Sequence, residues 1–87
     1  MPMGHMDEAA RVFGAAADLV PVQYAAGIEQ ELERVTQYVV EAGGQLGEEM
    51  RQHAAGIQDQ ARQTTTLLAG LKQALEEAAI RAQQGAG

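Results

Sequence analysis

The stretch VVEAGGQLGEEM, Val39 to Met50, lies at the middle of an 87-residue chain, and its reading decides the architecture. Adjacent glycines at 43 and 44, with a third at 47, interrupt a pattern that reads as helix in both directions. Glycine just past a periodic segment is a C-cap signal, because it reaches left-handed backbone angles without a Cβ penalty. A continuous rod would carry three glycines within five residues, each weakening the helix by about 1 kcal/mol against alanine. A stripe through Val39, Ala42, Leu46 and Met50 can be drawn for a rod too, so continuity through Gly43-Gly44 stays open. The hairpin is the favoured reading, since it buries part of the apolar stripe at once. Its turn lies near 43–47, with Gly43, Gly44 and Gly47 as the turn residues.

Outward from the turn, both arms carry helical periodicity. Before it, Tyr24, Ile28, Leu32, Val35 and Val39 step by four, four, three and four, one apolar stripe on a helix. After it, Leu46, Met50, His53, Ile57, Ala61, Thr64, Leu68, Leu71, Leu75 and Ala78 do the same. Pro21 cannot donate its amide and disfavours the helical region at Val20, so the first arm is expected to kink or break near 19–22. Asp7 and Glu8 read as a helix first turn, and Glu48 and Glu49 as another, where carboxylates suit the positive end of the dipole. Asp7 with Arg11, and Glu77 with Arg81, have the spacing of helix ion pairs. The expected organisation is a disordered N-terminus or cloning scar at 1–5, one helical-hairpin domain over 6–84, and a disordered tail at 85–87.

Composition bounds what such a fold can be. From Val12 onward there are only twenty large apolar residues, much of the rest of the hydrophobic fraction being alanine, and there is no cysteine. A two-helix hairpin leaves apolar surface uncovered, so the fold class expected is all-α: a helical hairpin, its first arm kinked near Pro21, pairing into an antiparallel four-helix bundle or coiled coil. The expected interface is the stripe itself: Tyr24, Ile28, Leu32, Val35 and Val39 on one arm, Leu46, Met50, Ile57, Leu68, Leu71 and Leu75 on the other. The partner is the chain itself or a similar small helical protein, in a dimer or tetramer.

The net charge of −6 removes the electrostatic footprint of a nucleic-acid binder and gives little pull toward anionic lipid. No apolar run approaches a membrane span, and the start lacks the features of a signal peptide. A soluble chain is expected, resident in the cytoplasm or exported without a cleavable signal peptide. A second regularity, Phe13, Tyr24, Val35, Leu46, Ile57, Leu68 and Ala79, recurs every eleven residues. It supports an alternative: an amphipathic helix that folds on, and coats, a lipid or polymer surface.

Reactive chemistry is scarce. Serine and cysteine are absent, which leaves threonines as nucleophiles and His53 as the lone plausible base. Glu49 and His53 lie four apart and supply at most two metal ligands. His53 falls on the stripe, as a core or interface histidine would. Glu29, Glu31 and Glu33 alternate along a helix and do not face one another. The expectation is therefore no enzyme, no catalytic or metal residues and no cofactor. Gly43-x-x-x-Gly47 has the spacing of a helix-packing motif but marks the turn more readily. Gly14, Gly27, Gly56 and Gly70, with the many alanines, suggest either a close-packed seam or simply an alanine- and glycine-rich composition.

The layout, two arms of similar length around the glycine turn Ala42-Gly43-Gly44, resembles the WXG100 (ESAT-6-like) family of type VII secretion. That family carries Trp-x-Gly at the turn and a Tyr-x-x-x-Asp/Glu secretion signal. This chain has no tryptophan, and Ile28 and Ala42 stand four residues after Tyr24 and Tyr38. The resemblance implies a divergent member, or a signal-lacking partner whose other chain supplies the signal.

Overall fold

The computed structural model describes residues 2–84, with side chains from Asp7 onward. The expected tail at 85–87 lies outside the described residues, as do Met1 and the side chains of the expected scar. The described chain is all-α: α1 is Pro2–Leu19, α2 is Val22–Ala42 and α3 is Gly44–Gln84.

Two breaks separate the helices, and each has a local cause. At the end of α1, the Val20 amide bonds the Ala17 carbonyl at 3.2 Å, a tightened last turn, and Pro21 then offers no amide to continue. The second break needs left-handed backbone. Gly43 and Gly44 have φ of 69° and 68°, angles that cost an ordinary L-residue roughly 1–2 kcal/mol. The Gly43 amide closes on the Val40 carbonyl at 3.1 Å, and the Gly43 carbonyl accepts from the Gly47 amide at 3.1 Å. Gly43 thus ends α2 and caps the start of α3.

The turn is shorter than expected, because α3 begins at Gly44 and Gly47 lies inside it. This also moves the acids: neither α1 nor α3 has an acidic residue in its first turn, so Asp7, Glu8, Glu48 and Glu49 sit beyond the reach assigned to them. The threonines at 64–66 stay helical. Thr65 and Thr66 donate their hydroxyls to the Ala61 and Arg62 carbonyls at 3.0 and 3.1 Å, one turn back.

The chain forms two compact units. Unit 2 is Val22–Thr66, and unit 1 joins α1 to the part of α3 from Leu67 onward. In unit 2, α2 and α3 run antiparallel from the glycine turn, with Gly47 near Val39 and Ala42 and, farther along, Arg62 pairing with Glu29 at 3.6 Å. In unit 1, Phe13 of α1 and Ala74, Ala78 and Ala82 of α3 line one open groove, and the Lys72 ammonium donates to the Ala17 carbonyl at 3.0 Å. That lysine is a second donor to the Ala17 carbonyl, which the Val20 amide also meets, in the last turn of α1, where a cation suits the dipole.

Candidate association surface

The least exposed positions of α3 within unit 2 are Gly47, Arg51, Ala54, Gln58, Ala61 and Thr65, with Ala55 beside them. They step by four and three in turn, the heptad spacing of a two-helix seam. On α2 the matching set is Val22, Ala25, Glu29, Leu32, Thr36 and Val39, with Ala26 and Gly27 beside it. Small residues occupy the tightest points. Among the described residues, the buried ones are Ala10, Ala17, Ala25, Ala54 and Gly47, and none is a large side chain. A Cβ added at Gly47 would sit 3.1 Å from the Val39 carbonyl oxygen and 3.6 Å from the Ala42 carbonyl carbon. Backbone approaches backbone here, so a side chain at 47 would need the α2 backbone to give by a few tenths of an ångström.

The large apolar side chains are displaced from this seam by one position. Tyr24, Ile28, Val35 and Tyr38 each immediately precede a seam residue of α2. Leu46, Met50 and Ile57 each immediately precede one of α3. One residue back along a right-handed helix is a turn of about 100° away from the seam. When two such helices run antiparallel, both reversals combine and the preceding positions of each helix flank the same side. Unit 2 therefore has an apolar side holding all seven. Tyr24, Tyr38 and Leu46 are 74%, 73% and 68% exposed, and the four nearer the seam lie between 42% and 46%. A shallow groove on this side is lined by Tyr24, Gly27, Ile28, Glu31, Leu32 and Val35.

The opposite side of unit 2, formed by residues that follow seam positions, is mostly polar: Gln30, Glu33, Gln37, Glu48, Gln52, Asp59 and Arg62, with Val40 as its exposed large apolar residue. Several of its charges are paired, with one another or with seam residues. Arg51 holds Glu48 at 2.7 Å, and Arg62 meets Asp59 at 3.4 Å. The Arg51 hydrogen bond holds the Glu48 carboxyl below the usual carboxylate range, and the same contact raises Arg51. These pairs are exposed and contribute little to stability. On the apolar side, the ionisable groups at preceding positions are Glu31, His53 and the two tyrosines.

No known family's model matches this chain, and neither does a curated protein or a solved structure. What can be said of the surface comes from its geometry.

The eleven residues expected at an interface divide between two settings. Leu32 and Val39 are half-buried in the seam of unit 2, and Leu68 and Leu75 are half-buried in unit 1. Tyr24, Ile28, Val35, Leu46, Met50 and Ile57 stand on the apolar side of unit 2, and Leu71 is exposed in unit 1. His53 is exposed, so it is not a core residue of the chain. Among the described residues no three histidines or acids gather to hold a metal ion. No described helix is long and apolar enough to cross a membrane.

One smaller expectation is corrected, and one open alternative is decided. Arg11 pairs with Glu8 rather than with Asp7, because the charged tips meet across three residues. Gly14, Gly27, Gly56 and Gly70 line no close approach, since a Cβ at any of them would meet nothing within 4 Å. The close-packing glycine is Gly47, which the sequence reading assigned to the turn. Its seven-residue spacing to Ala54, and Ala54's to Ala61, was the available signal.

Proposed function

We propose that this chain is a non-enzymatic association module, a structural or adaptor subunit that works by pairing its helical hairpin with a further helical surface. One observation carries the reading: no large apolar side chain is buried among the described residues, while seven stand together on one side of unit 2. Scattered exposed hydrophobics are ordinary, but a contiguous apolar patch with polar surroundings marks an interaction site. Pairing two hairpins into an antiparallel four-helix bundle would cover it. The WXG100-like layout, with its glycine turn between helices, extends the proposal to a secretion-system substrate, partner or chaperone. The missing tryptophan and signal then make the partner chain essential.

The seam that α2 and α3 close within the chain supports a folded, pairing hairpin over the eleven-residue coating alternative, in which the helix folds only on its surface. Solution mass by light scattering, with circular dichroism on the same sample, tests the proposal. The wild-type chain is expected to be a helical oligomer, and Ile28→Asp or Ile57→Asp, both on the apolar side of unit 2, is expected to dissolve it. Variants that keep the native mass would refute it. Low helicity that rises only with lipid vesicles would favour coating instead.

A further inference from the structure

Resting on that association reading, we propose that the occupant of the apolar side of unit 2 is a second copy of this chain, seated by a two-fold axis across that side. The available area suits a dimer. At about 150–250 Å² for a large exposed side chain, the seven residues at their observed exposures leave on the order of 800 Å² in water. A stable interface takes roughly 800 Å² from each partner. The charge pattern suits it too. Unit 2 carries seven acids, Glu29, Glu31, Glu33, Glu41, Glu48, Glu49 and Asp59, against Arg34, Arg51 and Arg62. Of these ten, only Glu31 occupies a preceding position on the apolar side, so two copies can meet there with little like-charge contact.

A lipid surface fits less well. The apolar side presents no lysine or arginine at its preceding positions, and all three arginines of unit 2 already pair with acids. Anionic headgroups would meet an acidic unit. A self-complementary contact, by contrast, requires only that one patch match itself about an axis. Val35 and Ile57 lie near the middle of α2 and of α3's share of unit 2. Residues near such an axis lie close to their own copies.

The chain has no cysteine, so Val35→Cys introduces a single one into an otherwise native protein. Expected is rapid crosslinking between copies with a short bis-maleimide, at least tenfold faster than for Val40→Cys on the opposite side. In parallel, Ile57→Asp should raise the dimer dissociation constant at least a hundredfold, while Val40→Asp should change it less than threefold. Sedimentation equilibrium reads both. Crosslinking does not depend on Ile57→Asp remaining folded. Equal crosslinking at 35 and 40 would overturn the placement of the interface. A helical wild-type chain that stays at 9.2 kDa at concentrations on the order of 100 µM would overturn the second copy as occupant. Such a monomer, if it pelleted with phosphatidylcholine–phosphatidylglycerol vesicles through Ile57, would overturn the association reading as well.

Discussion

Units 1 and 2 both use α3, yet they close on it with different side chains. In unit 1, α3 presents Leu68 and Leu75 half-buried, Lys72 bonds the Ala17 carbonyl, and Phe13 shares an open groove with alanines of α3. In unit 2, the least exposed residues of α3 are Gly47, Ala54, Ala61, Thr65, Arg51 and Gln58, with Ala55 beside them. Bulky residues are plentiful in unit 2, but apart from the half-buried Val22, Leu32 and Val39 of α2 they stand outside. The exposed large residues of unit 1 are split between its two helices: Leu67, Leu71 and Ile80 on α3, and Val12, Phe13 and Leu19 on α1. Small residues let two helices approach closely, but their burial removes little apolar area. Unit 2 thus gains the most from a partner, and unit 1 is the more self-sufficient contact.

Enlarging the seams should break this comparison most sharply. Ala54→Leu in unit 2 and Ala17→Leu in unit 1, where the alanine is 1% exposed, should each destabilise by about 1–3 kcal/mol through overpacking. Thermal melts should show both losses, and only Ala54→Leu should also weaken association. Equal effects on association would erase the distinction between the units. Gly47→Leu should cost about 2 kcal/mol, because the Val39 carbonyl and Ala42 backbone cannot retreat as a flexible side chain would.

Gly56→Ala in unit 2 and Gly70→Ala in unit 1 should do the reverse. Both positions are open, so alanine should add about 0.5–1 kcal/mol of helix stability, seen as a higher melting temperature. A loss at Gly56 alone would place a partner's backbone against it. The smallest effect belongs to Glu48. Its folded value is depressed by Arg51, so the pair's contribution is complete above the ordinary carboxylate range and fades as pH falls through the depressed value. Glu48→Gln should therefore lower the melting temperature slightly at neutral pH and not at all in strong acid.

Helix content, the break at Pro21 and the turn at Gly43-Gly44 were legible because each rests on local backbone chemistry. Proline lacks a donor, and paired glycines accept left-handed angles. The choice of seam was not legible by size. Of the expected stripe, Leu32 and Val39 do lie in the seam, but Tyr24, Ile28, Val35, Met50 and Ile57 stand one residue off it, and the contact falls at Ala25, Glu29, Thr36, Arg51 and Gln58. Hydrophobic periodicity reports that a face is apolar, not which of two adjacent faces closes within the chain. Here the decision turned on volume: alanine and glycine permit the shorter distance, and Gly47 against Val39 shows how short it is.

The central claim is that the small-residue face closes the hairpin and the large-residue face joins chains. Light scattering of the wild-type chain through a dilution series, with circular dichroism at each step, tests it most directly. The account predicts a mass at least twice 9.2 kDa that falls toward the monomer on dilution, with helicity falling alongside. A fully helical 9.2 kDa species at every concentration would contradict it, because the exposed apolar side would then need no partner.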